Sequence, residues 1–185
     1  MARYRALPFG LTGQSYPLFI FLRKPADDLD FLLRFYAEVE PKISPYLKDF
    51  AYSQLFETIK NAAAHGGDAL LMMRRRKILG NGYQIEVVVW DNGPGIGDIK
   101  KALTPGHSSR PDRFSDFCGM GKGMDLMICE DPPTYTASTI MIESGLDKAF
   151  RNHPSGPYHF EKVQRAVPGT KVTLRFQSKP RSALR

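Results

Sequence analysis

Glu57 and Asn61 stand four residues apart in L-F-E-T-I-K-N-A-A-A-H, a spacing that puts both side chains on one helix face, where they can address one ligand. As an isolated pair they would read first as a solvated helix face. Asp91 closes the run Y-Q-I-E-V-V-V-W-D and shares a face with Ile85, Val87 and Val89, because side chains alternate along a strand. A carboxylate buried there without a donor would cost on the order of several kcal/mol. A purine's exocyclic amine would supply the donor. Gly93 and Gly95, in D-N-G-P-G-I-G, would let a ring approach the backbone, although Asp-Asn-Gly is also ordinary turn chemistry. A third group, Gly119, Gly121 and Gly123 around Lys122, opens an expected helix, where free N–H groups and the helix dipole favour phosphate oxygens. The G-x-x-x-x-G-K-[ST] spacing of a P-loop is not met, and the glycines do not form a dinucleotide fingerprint.

Positioning these residues requires a particular set of elements. Residues 16 to 23 read as a first strand, and Asp27 and Asp28 as the start of a helix. That helix carries Leu29, Leu32, Leu33 and Tyr36 on one side and is expected to stop at Pro41. A second helix, within 44 to 65, presents Tyr52, Leu55, Phe56, Ile59, Ala62 and Ala63 as a buried stripe, with Ser53, Glu57 and Asn61 opposite. Gly66-Gly67 closes it. Two antiparallel strands follow, joined at L-G-N-G, a turn of the Asn-Gly kind. A short helix is expected at 98 to 103, then a polar loop to about 118 that reads as a lid. Two more strands end the chain, the last with Thr170, Val172, Leu174 and Phe176 on one face and Lys171, Thr173 and Arg175 on the other. Between them, residues 144 to 168 read as a long ornamented hairpin or partner loop. Helices alternating with antiparallel hairpins suggest one sheet layer with helices on one face.

Composition bounds the remaining choices. At 185 residues, 42% hydrophobic and 24% charged, the chain has the make-up of one globular domain, expected to have its core at about 14 to 177 and a flexible basic tail at 178 to 185. Cys118 and Cys129 form neither a C-x-x-C nor a cysteine-histidine cluster, which fits reduced thiols in a cytoplasmic compartment. His65 and His107 read as capping or surface residues, and no metal site follows from the histidines. No apolar stretch approaches the roughly 20 residues that span a bilayer, and no signal-peptide core is expected. The net charge of +7 suits an anionic partner, but Arg74-Arg75-Arg76-Lys77 and the basic tail are generic enough that nucleic acid is the lesser candidate.

The order F-E-T-I-K-N-A-A-A-H-G, W-D-N-G-P-G-I-G, C-G-M-G-K-G-M and P-G-T-K-V-T-L, over about residues 45 to 176, resembles the boxes of the GHKL ATPases, which include gyrase and the histidine-kinase ATPase domains. The resemblance implies an α+β chain with the two-layer α/β sandwich of the Bergerat type, a mixed, mostly antiparallel sheet with helices on one face. It implies that Asn61 coordinates a magnesium ion bridging the ATP phosphates, that Asp91 binds the adenine amine, and that Thr170 assists through a water. Gly93 and Gly95 would form the adenine floor, while Gly119, Gly121, Lys122 and Gly123 wrap the phosphates. Glu57 would be the general base. Lys122 or Arg110 would meet charge on the transferring phosphoryl group.

Length and order are most similar to the stand-alone anti-sigma-factor and switch serine kinases, and I-K-K-A-L-T-P-G-H-S-S-R resembles their lid. This implies phosphorylation of a serine or threonine on a small protein partner, with a homodimer left open. Two alternatives stand beside it: a noncatalytic or slowly hydrolysing ATP-controlled protein-binding module, and the detached ATPase domain of a histidine kinase. Met124, Asp125 and the length of the segment after 144 depart from the small-kinase pattern.

Overall fold

The computed structural model describes residues 18–43, 49–78, 82–104, 135–153 and 156–178. Strand β1 (Leu18–Leu22) is followed by helix α1 (Asp28–Arg34), a π-helical turn (Phe35–Val39), α2 (Glu40–Ile43) and the long α3 (Asp49–His65). Strands β2 (Ala69–Ile78) and β3 (Gly82–Asp91), helix α4 (Ile99–Ala102), and strands β4 (Tyr135–Arg151) and β5 (His159–Ser178) complete the order. The result is an α+β chain with one five-stranded sheet, ordered β1-β2-β3-β5-β4. All four neighbouring pairs are antiparallel, so among the described residues the sheet has no parallel member.

Period-two alternation decides which face each strand buries. Ile85, Val87 and Val89 of β3, Leu71 and Met73 of β2, and Val172, Leu174 and Phe176 of β5 meet Leu55, Ile59 and Ala62 of α3 in one continuous core. The opposite face carries a small apolar cluster of Met72 and Val88, with Leu70 and Trp90 packed against it. Beside it, buried Glu86 receives Arg74 Nη2 at 2.6 Å and Arg175 Nε at 2.6 Å, with Arg76 Nη2 at 3.8 Å. Two arginines of the basic run therefore neutralise a buried carboxylate of the sheet. The β2–β3 register runs from Ala69↔Asp91 to Ile78↔Gly82, as a tight connection requires; its turn, 79 to 81, lies outside the described residues.

The helical layer departs from the sequence reading in two ways. Asp27 caps α1, its carboxylate accepting from the Asp30 amide, as expected. Leu29, Leu32, Leu33 and Tyr36, however, are exposed, and the core side is Phe31, Phe35, Val39 and Ile43. On an α-helix a strict four-residue step drifts about 40° each time, since 3.6 residues make a turn. The wider π turn, closed by the Glu40 N–H on Phe35 O, takes up that drift and keeps all four residues inward. The second departure is at Pro41, which does not stop the helix: α2 runs through it to Ile43. Proline breaks an α-helix because its ring meets the carbonyl four residues back and its N–H is missing. Here the residue four back, Ala37, belongs to the π turn, and Pro41 falls in the first turn of α2, where its missing N–H costs least.

The stretch 144 to 168 is a hairpin, the outer halves of β4 and β5. Its pairing runs from Ser144↔Thr170 out to Phe150↔His159, with irregularities on either side of Gly145. Lys148 with Glu161 and Lys162 with Asp147 bridge its two strands.

Candidate functional site

Three chain segments converge at the end of β3. The first is the end of α3, where Gly66 N donates to Ala62 O at 2.9 Å. A Cβ on Gly66 would stand 2.6 Å from both Cβ and Cγ of Asp91, so only glycine lets helix and strand approach this closely. The second is the loop after β3. Gly93 lies against Gly66, where a Cβ would come within 2.4 Å of the Gly66 Cα, and Asn92 N donates to Asp68 O at 3.1 Å. The third is the bend before the buried part of β5. Gly169 has φ +67°, and a Cβ on it would stand 2.0 Å from Asp91 O.

Asp91 sits where the three meet and is 6% exposed. Its Oδ1 accepts from Gly93 N at 2.9 Å and from Thr170 N at 3.2 Å. Both of these bonds fall on Oδ1. Burial raises the carboxyl above its ordinary pKa, and backbone hydrogen bonds from Gly93, Thr170 and Asp91 itself only partly offset this. The site therefore fixes Oδ1 and leaves Oδ2 outside these two bonds.

A serine ties the loop down. Ser144 Oγ accepts from Ile96 N at 2.7 Å and donates to Gly169 O at 2.8 Å, and the left-handed Gly95 (φ +79°) packs on the same hydroxyl. Trp90 Nε1 reaches Pro168 O at 2.8 Å, adding a further link between β3 and the β5 bend.

Glu57 and Asn61 are both half-buried on α3. With 1.5 Å of rise per residue, Asn61 lies about 7.5 Å and Glu57 about 13.5 Å along the axis from Gly66. The pair thus extends along the helix away from Asp91. Burial raises the Glu57 carboxyl above its ordinary pKa, with Lys60 acting in the opposite sense.

The structure thus brings Asp91, Gly93, Gly95 and Thr170 together, next to the helix that carries Glu57 and Asn61. Thr170 reaches Asp91 through its backbone N–H, and the missing side chains of Gly93 and Gly95 admit Gly66 and Ser144. Gly119, Gly121, Lys122, Gly123 and Arg110, with the lid beyond residue 104, lie outside the described residues. Gly66, Ser144 and Gly169 were missed as site residues. Gly169 had a sequence signal in the P-G-T bend, whereas the partner of Ser144 lies 25 residues away and leaves no local trace.

No protein-family model matches this chain, and neither a curated protein nor a solved structure matches it. What the fold and the site define is an α+β domain with a desolvated carboxylate at one end of an antiparallel sheet, beside a helix bearing a carboxylate and a carboxamide. Among the described residues no helix is long and apolar enough to cross a membrane.

Proposed function

We propose that this chain is an ATP- and magnesium-binding domain of the GHKL superfamily, with a Bergerat-type sandwich, acting as a cytoplasmic protein serine/threonine kinase of the anti-sigma or switch type. The observation that carries the proposal is Asp91. Its carboxyl is buried, its Oδ1 is fixed by Gly93 and Thr170, and it packs against Gly66 at the end of the helix of Glu57 and Asn61. An amine of adenine is the complementary donor.

The chain's own groups then divide the work. Asp91 orients the base, and the loop from Asn92 to Ile96, pinned by Ser144, forms one wall. Asn61 would hold magnesium, which supplies charge neutralisation on the phosphates. Gly119, Gly121 and Gly123 would offer backbone N–H groups to phosphate oxygens, and Lys122 a positive charge. Glu57 takes the proton from a serine or threonine hydroxyl as that oxygen attacks the terminal phosphorus, and ADP leaves. The raised pKa of Glu57 suits a base that must accept a proton.

A second reading, the ATP-controlled protein-binding module, is favoured by the β4–β5 hairpin, which exposes Leu146 and Phe160 beyond the sheet. Phosphate release or transfer from labelled ATP with magnesium separates the two. For a kinase or ATPase, Glu57→Gln lowers turnover by about 10²- to 10⁴-fold while leaving ATP affinity in place. The wild-type rate then rises with pH through the raised Glu57 titration, and the variant's does not. Equal turnover in both proteins contradicts the assignment of Glu57 as base, and ATP binding without turnover in the wild type favours the binding module.

A further inference from the structure

A cavity of about 260 Å³ lies on the other flank of α3, between that helix, β1 and the π turn. Its walls are apolar, with Phe31, Phe35, Val39 and Ile59 among them, while Arg23, Arg34 and Glu38 also line it. Arg34 is already held by Asp30 at 2.6 Å. Arg23 and Glu38 are both exposed and have no hydrogen-bond or ion-pair partner among the described residues. The lining thus combines an apolar interior with one uncommitted cation and one uncommitted anion. Part of the wall is the π turn itself, and such turns recur at functional sites because the extra residue in the turn reshapes the local surface.

The geometry points to a binding site for a free apolar α-amino acid of the leucine or phenylalanine class, its side chain in the cavity, its carboxylate on Arg23 and its ammonium on Glu38. The volume falls just below the range of drug-sized ligand pockets, about 300–1,000 Å³, which suits a ligand of this size. A zwitterion engages both charges at once. A carboxylate alone leaves Glu38 unmatched, and an amine alone leaves Arg23 unmatched. The residues involved are distinct from Asp91, Glu57 and Asn61, so the site stands independently of the nucleotide reading.

The test is calorimetric titration of the full chain, without nucleotide, using L-phenylalanine and L-leucine. L-alanine, N-acetylphenylalanine and phenylalaninamide serve as probes lacking the tail, the ammonium and the carboxylate. Phenylalanine or leucine should bind at least tenfold more tightly than each of the three. Arg23→Ala and Glu38→Gln, both exposed positions, should each weaken binding tenfold or more, and Ala63→Leu, which fills the cavity, should abolish it. Absence of heat with both amino acids at 10 mM, about 10-fold above a 1 mM dissociation constant, overturns the proposal. So does affinity unchanged in the two charge variants, or N-acetylphenylalanine or phenylalaninamide binding as tightly as phenylalanine, since that would mean a peptide end is bound in place of a free amino acid.

Discussion

Gly66 and Asp91 touch so closely that a single added carbon on the glycine would stand 2.6 Å from the carboxylate's own Cβ and Cγ. The contact fixes the end of α3 against the end of β3. It thereby sets the distance from the Asp91 carboxylate to Asn61 and Glu57, and it gives the glycines around the carboxylate a structural role.

The most demanding of those glycines is Gly169. Alanine there combines a left-handed backbone with a contact of 2.0 Å on Asp91 O. The two costs, about 1–2 kcal/mol for the backbone and about 1–3 kcal/mol for overpacking, give an expected loss of about 2–5 kcal/mol for Gly169→Ala in urea denaturation. Gly97→Ala is the control, because nothing lies within 4 Å of a Cβ there; it should stay within about 0.5 kcal/mol of the wild type.

Asp91 carries a stability signature that does not depend on any ligand. Burial raises its pKa above 3.8, so the folded state favours the protonated form. That contribution is complete below about pH 3.8 and is lost as pH rises through the raised folded value. Asp91→Asn is uncharged and keeps an Oδ1 for Gly93 and Thr170. Urea midpoints at pH 4, 5, 6 and 7 should therefore show the variant gaining on the wild type as pH rises, with the gap levelling once Asp91 is fully ionised. A wild type that becomes the more stable protein at pH 7 would mean that the hydrogen bonds outweigh desolvation.

On the opposite face of the sheet, Glu86 is 2% exposed beneath Arg74 and Arg175. Glu86→Ala should cost about 3 kcal/mol, at the low end for breaking a buried pair because Arg175 and Arg76 reach solvent. ATP affinity should not change in folded protein, since this cluster lies across the sheet from the helical layer. Denaturation and nucleotide titration of the same variant check both halves.

Much of the sheet was legible because alternation is a local signal. Ile85, Val87, Val89 and Asp91 share a buried face as read, and so do Thr170, Val172, Leu174 and Phe176. Asp27 as cap and Gly66 as the close of α3 were also readable from residue type. The first helix was not, because it carries two apolar stripes. The helical rule chose Leu29, Leu32, Leu33 and Tyr36, whereas the π turn made Phe31, Phe35, Val39 and Ile43 the core side. A strict four-residue spacing was the available clue. At the site, Asp91, Glu57 and Asn61 were nameable by type and order. Gly66 and Gly169 were readable as a helix end and a bend, but which segments they and Ser144 bring together around Asp91 is set by tertiary approach.

The central claim is that Asp91 recognises an adenine amine, and the most direct measurement is calorimetric titration of wild type and Asp91→Asn with ATP and with inosine triphosphate. The two nucleotides differ at the six-position, an amine in ATP and a carbonyl oxygen in the inosine analogue, and with it at N1, an acceptor in ATP and an N–H in the analogue. A carboxylate should accept from the amine and reject the carbonyl, so the wild type should prefer ATP by at least tenfold, and the asparagine variant should lose most of that preference because its amide can donate. A wild type that binds both nucleotides equally, or neither, contradicts the assignment of Asp91 as the base-reading residue.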